Sequence, residues 1–135
     1  MHVHVYLRDS GAELVRAAGI MCVTRDGRML FLKRSERAGD NRGTWCFPGG
    51  KIEDGESPIE AARRETGEEA GVTADWPLRL IDTRSDFATY RADLAEPFEP
   101  RLNGEHSHAI WALPDQAPSP LHPGVAATLG HVIAV

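Results

Sequence analysis

Apolar and polar residues alternate from the first position: Val3, Val5 and Leu7 fall on one face, His2, His4 and Tyr6 on the other, the period of two of a strand. The two histidines read as a solvated strand face rather than as metal ligands. Glu13 to Thr24, rich in small and apolar residues, predicts a second strand. Asp26-Gly27 is a turn signal and Arg28 to Lys33 (RMLFLK) the returning strand, together a hairpin. Ser35 to Thr44 is polar and glycine-containing, a loop. Trp45-Cys46-Phe47 is a short strand, and Pro48, Gly49 and Gly50 stop it in a tight turn.

Next comes a helix whose ends are written in the chain. Ser57 is an N-cap, Pro58 suits the first helical position, Glu60 completes a Ser-x-x-Glu capping box, and Gly71 is a C-terminal cap. The helix therefore runs from about Pro58 to Ala70. Ile59, Ala62, Thr66 and Ala70 form the stripe that should pack on a sheet. Gly67 within it costs about 1 kcal/mol against alanine, which suggests a close neighbour. Leu78 to Asp86, Phe87 to Leu94 and His108 to Leu113 read as strands. Glu96 to Pro100 is a loop, Pro114 to Pro123 is irregular, and Gly124 to Val135 is a terminal helix. The expected fold is α+β, a mixed sheet with helices packed on it.

A chain of 135 residues, 41% hydrophobic and 26% charged, is one domain, residues 1–135, with enough length for a core. Its net charge of −5 argues against bulk nucleic acid or an anionic membrane as partner, and no apolar run reaches spanning length. The N-terminus lacks the basic flank and apolar core of a secretory signal, so a cytoplasmic protein is expected. Cys22 and Cys46 then read as free thiols.

On the helix, Glu65, Glu68 and Glu69 share an arc roughly 100° wide. Carboxylates so placed repel unless a cation neutralises them, and their hard oxygens suit Mg²⁺ or Mn²⁺. The helix alone is equally consistent with a solvated acidic face. The glycines ahead of it tilt the reading, because backbone there can approach a ligand closely. A loop carbonyl, helix carboxylates and phosphate oxygens would make a shell for metal-assisted phosphoryl chemistry.

The segment Gly50 to Val72, GKIEDGESPIEAARRETGEEAGV, resembles the Nudix box of the Nudix hydrolases, Gly-x5-Glu-x7-Arg-Glu-U-x-Glu-Glu-x-Gly-U with U a bulky aliphatic. Gly50, Glu56, Arg64, Glu65, Glu68, Glu69, Gly71 and Val72 fall in register. Thr66 stands where the pattern has an aliphatic, a change expected to cost some packing and leave activity. Trp45 to Glu53 is similar to the strand and loop before the box in MutT-type members. The resemblance implies an α-β-α sandwich with this helix at its catalytic centre.

It also implies roles. Glu65, Glu68 and Glu69, with the Gly49 carbonyl, correspond to ligands of Mg²⁺ or Mn²⁺. Arg64 pairs with Glu56 to tie loop to helix and is grouped with the catalytic residues. Glu68 or Glu105 would be the general base, with Glu53 as runner-up for the acid that a later strand or loop supplies. Phe47 lies where the family places an aromatic near the nucleobase, or is plain core. Arg34 is similar in position to a phosphate-contacting arginine, and Lys51 joins the substrate-binding set. His106 and His108 read as a solvated loop, and Tyr90 as a strand residue. Phe87 occupies the region where ADP-ribose hydrolases carry proline. The implied activity is release of a nucleoside monophosphate and pyrophosphate from a (deoxy)nucleoside triphosphate, oxidised purine nucleotides such as 8-oxo-dGTP included. The rival is a catalytically silent module that binds a nucleotide or an RNA end. The partner is a small nucleotide, and the chain is a monomer or a homodimer, with the N-terminal strand an exposed edge.

Overall fold

The computed structural model describes residues 6–7 and 14–133. The strand expected from Met1 is described only as β1, Tyr6–Leu7, paired antiparallel with β2, Leu14–Val15. His2, Val3, His4, Val5 and Glu13 lie outside the described residues. The long strand expected from Glu13 is divided at Arg16, after which β3 runs Ala17–Thr24. The Arg16 N–H donates to the Asp86 carbonyl and its carbonyl accepts from Ile52, so the chain changes partners there.

β3 turns at Asp26-Gly27 into β4, Met29–Arg34. Then follow β5, Trp45–Cys46, and β6, Gly49–Lys51. The helix α1 is Pro58–Ala70, with the full Ser57/Glu60 capping box and a left-handed Gly71 (φ 69°) as its end. β7 (Arg79–Arg84), β8 (Phe87–Leu94) and β9 (His106–Ala112) complete the strands, and α2 (Pro123–Ile133) ends the description.

Among the described residues the main sheet has seven strands, with the path β5-β4-β3-β8-β7, β6 on β3 and β9 on β4. It is mixed: β3 and β8 run parallel from Ala17↔Phe87 to Thr24↔Leu94, and the other pairings are antiparallel. Side chains alternate across β3 and β4. Ile20, Cys22, Leu30 and Leu32 belong to one core with Ala62 and Ala70 of α1. Met21, Val23, Met29 and Phe31 belong to a second with Val125 and Leu129 of α2. Covered on both faces, these strands read as nearly continuous apolar runs. The result is an α/β/α sandwich.

Two expectations need correction. Gly49 and Gly50 are strand residues, facing Gly19 and Ala18 across β6 and β3, rather than a tight turn. Glycine is needed because the backbone is crowded: a Cβ on Gly49 would lie 2.7 Å from the Gly19 Cα, and one on Gly50 would lie 2.5 Å from the Glu65 carboxyl carbon. β9 also begins two residues earlier than expected. That places His106 in the sheet opposite Arg34, at a register shift between Lys33 and Arg34, with only 2% of its surface exposed. His108 is exposed, as expected.

Candidate active site

Two clusters are built on α1, and they share Glu65. The first centres on Arg64. Its Nε donates to Glu56 Oε2 at 2.6 Å and its Nη1 to Glu65 Oε1 and Glu68 Oε1, both at 2.9 Å; its Nη2 reaches the Lys51 carbonyl at 2.9 Å. Glu53 Oε1 lies 3.4 Å from Nε. The Glu56 hydrogen bond, then those to Glu65 and the surrounding charge, raise the guanidinium pKa above its ordinary value against the opposing effect of burial. Arg64 thus joins loop, strand and helix in one network. Glu68 is held within it with half of its side chain exposed. Glu53 is on the loop side of the same arginine. The Lys51 side chain is exposed at the end of β6, and only its carbonyl enters the network.

The second cluster centres on Glu69, which is 3% exposed. Its Oε1 accepts from the Gly49 N–H at 2.8 Å. Burial, with repulsion from Glu65 and Glu105, pushes its carboxyl up to about 9 although the Gly49 N–H pulls the other way. Burial likewise raises Glu65, against the pull of Arg64. One carboxylate oxygen each from Glu69 and Glu105 and one ring nitrogen of His106 lie within 4.8 Å of one another. Glu105 therefore reaches the acids of the helix from the other end of the chain. Glu68 is outside this trio, turned toward Arg64.

His106 was not foreseen here. Its Nδ1 is buried with no hydrogen-bond partner among the described residues, and its Nε2 lies 3.5 Å from Cys46 Sγ. Burial pushes the imidazole down to about 4 and the Cys46 thiol up to about 12, so both are neutral at pH 7. Cys22 and Cys46 are both free. Extending the alternation of HAIWAL back by two residues would have placed His106 in the strand. Its burial depends on the bulge opposite, which no local pattern marks.

Gly49 also lines a cavity of 440 Å³ between the sheet and α2. Phe47, Phe87 and Val125 give it apolar walls, and Arg34, Arg84 and His122 bring basic groups. Phe47 is both core and cavity wall: it is buried and stacks on Phe31 at 5.6 Å between centroids. Arg34 is anchored by Asp40 at 2.8 Å. Arg84 and His122 come from distant parts of the chain and carried no signal in its spacing. Tyr90 faces the first core as a strand residue.

The donor set fits a divalent cation: hard oxygens gathered around the buried Glu69, whose ionisation burial and neighbouring acids oppose. No helix among the described residues is long and apolar enough to cross a membrane.

The NUDIX domain family model matches residues 13–132. A Nudix hydrolase from M. smegmatis, RenU, superposes with a TM-score of 0.76 and 28% identity, over 98% of this chain and 94% of that one. A MutT Nudix hydrolase from Burkholderia pseudomallei superposes with a TM-score of 0.72 and 26% identity, over 89% and 99% of the two chains. An RNA pyrophosphohydrolase of Erythrobacter litoralis is 37% identical over 89 residues, 66% of this chain. The chain spans 51% of that relative's length and 24% to 45% of three further curated relatives.

Proposed function

The chain belongs to the Nudix family of hydrolases and is MutT-like in fold, and from that premise we propose that residues 1–135 work as one domain that splits a nucleoside triphosphate into monophosphate and pyrophosphate. The observation that carries the reading is the position of Glu69: a buried carboxylate tied to Gly49, close to Glu105 and repelled by Glu65, while Gly49 itself lines a cavity with aromatic walls and basic groups. A cavity of about 440 Å³ would take the nucleoside, with its phosphates directed past Gly49 toward the acids.

Glu65, Glu68 and Glu69, with the Gly49 carbonyl, would hold the divalent cation, Mg²⁺ or Mn²⁺. When bound, it neutralises charge that develops on the phosphate oxygens. Arg34, already anchored by Asp40, and Lys51 would bind phosphate, and Phe47 would lie against the base. Glu105 or Glu68 would accept the proton of the attacking water; both are exposed enough to change partners during a turnover. Arg64 would act as a positioning residue, fixing the carboxylates through its hydrogen bonds.

A phosphate-release screen tests this, coupled to a pyrophosphatase for the triphosphates and to an alkaline phosphatase, which frees phosphate from newly formed monoesters, for ADP-ribose and the dinucleoside tetraphosphate. The panel holds the common (d)NTPs, 8-oxo-dGTP, ADP-ribose, a dinucleoside tetraphosphate and a 5′-triphosphorylated RNA, each with Mg²⁺ and Mn²⁺. Release from one or a few triphosphates supports the reading. Release only from ADP-ribose, the dinucleoside tetraphosphate or the RNA would move it to another substrate class. Binding without release would leave the silent module.

A further inference from the structure

We propose that His106 is a nitrogen ligand to a cation held between Glu69 and Glu105, and that this gives the site a preference for a first-row transition-metal dication over Mg²⁺. The inference rests on the hydrolase reading above and adds to it a ligand from β9.

Three observations converge. One ring nitrogen of His106 lies within 4.8 Å of a carboxylate oxygen from each of two acids. Ligands about 2.1 Å from an octahedral cation are about 3 to 4 Å apart, so only a short contraction is needed. Glu69 is fixed by Gly49, while Glu105, exposed and hydrogen-bonded to Glu69, would supply the movement. Second, His106 is 2% exposed and its Nδ1 has no partner among the described residues. A buried ring nitrogen without a partner is costly, and a cation would relieve that cost. Third, the ring is held in place, with Nε2 3.5 Å from the Cys46 thiol, whose sulfur is in turn 3.5 Å from the Leu32 carbonyl. Support on the second nitrogen is the usual way in which a ligating imidazole is oriented.

The chemistry of the trio sets the selectivity. Mg²⁺ takes oxygen ligands and keeps its waters, whereas first-row transition dications also accept imidazole, Mn²⁺ more weakly than the later ions. Two carboxylates and one imidazole make a mixed set in which loss of the nitrogen should hurt Mn²⁺ more than Mg²⁺.

The test uses the whole chain and the metals alone, without turnover. Isothermal titration of metal-free protein with Mn²⁺ and with Mg²⁺ is compared for wild type, His106→Phe and Glu69→Gln. His106→Phe keeps an aromatic ring among apolar neighbours and removes both nitrogens. We expect it to weaken Mn²⁺ about tenfold or more and Mg²⁺ less than about threefold. Unchanged Mn²⁺ affinity in His106→Phe, with binding lost in Glu69→Gln, overturns the histidine ligand and leaves the hydrolase site standing. Unchanged affinity in both overturns the site itself. Pulsed electron paramagnetic resonance of Mn²⁺-loaded wild type needs no variant, so a His106→Phe chain that does not fold leaves the test intact. A ¹⁴N modulation from coordinated imidazole is expected, and its absence overturns the proposal.

Discussion

Arg64 and Glu69 lie five residues apart on one helix and organise acids in opposite ways. Around Arg64, four carboxylates meet a cation that the chain itself supplies. That network is complete: it fixes the loop before α1 to the helix and leaves Glu68 half exposed. Around Glu69, one oxygen each of Glu69 and Glu105 comes within 4.8 Å of a ring nitrogen of the buried His106, and Glu65 adds further negative charge. There Glu69 accepts from a backbone donor, the Gly49 N–H, in place of a guanidinium, while the charge of Arg34 acts on His106 beside it. A cluster of acids therefore means different things according to what opposes it. The first holds its acids in place through Arg64, and the second has the electrostatics of a site that works when loaded.

The comparison can be broken most sharply by Glu69→Gln. The amide still accepts from Gly49, so the fold should persist, while turnover should drop about a thousand-fold, as expected when charge stabilisation by a cation is lost. Steady-state kinetics beside a thermal melt would check both halves. Arg64→Ala should lower stability and turnover together. Stripping several charge-assisted hydrogen bonds should cost about 2 kcal/mol in urea unfolding, with turnover reduced because the carboxylates lose their positions.

A pH series sharpens the contrast further. An acid whose folded pKa lies above its unfolded one binds more protons when folded, so stability falls as pH rises through the interval. For Glu69 that interval ends at about 9, and Glu65 acts in the same sense. His106, pushed down to about 4, acts oppositely, and only below its ordinary 6.5. Metal-free protein should therefore lose melting temperature between pH 7 and pH 9. Glu69→Gln or saturating Mg²⁺ should flatten that slope. A flat slope in metal-free wild type would contradict the raised carboxyl of Glu69.

The smallest effect concerns Thr66, beneath both clusters. It is fully buried and its hydroxyl has no partner among the described residues. Thr66→Val keeps the shape and removes a buried unsatisfied group, so stability should rise by about 1 kcal/mol with turnover unchanged. Chemical denaturation curves of the two proteins would register the difference.

These contrasts also explain what could be read from the chain. The ends of α1 follow from neighbours in sequence, Ser57 with Glu60 and Gly71 at the far end, so its limits were legible residue by residue. The hairpin at Asp26-Gly27 and the strands β7 and β8 were legible for the same reason. The acids of α1 were legible as an arc, but their division between Arg64 and Glu69 was not. It depends on β6 running beside β3, and Gly49-Gly50 looks like a turn until Glu65 is seen to fill the space of the missing Cβ. Glu105 was marked only through the family resemblance. His106 was misread because its burial comes from Arg34, some 70 residues away in the chain, through a shifted register that no window on the sequence contains.

The most direct test of the central claim is turnover of the best triphosphate over a Mg²⁺ titration, for wild type and Glu69→Gln side by side. The account predicts no turnover in chelator, saturation as Mg²⁺ rises, and a variant about a thousand-fold slower at every concentration. Turnover that persists in chelator, or a variant within threefold of wild type, would contradict it.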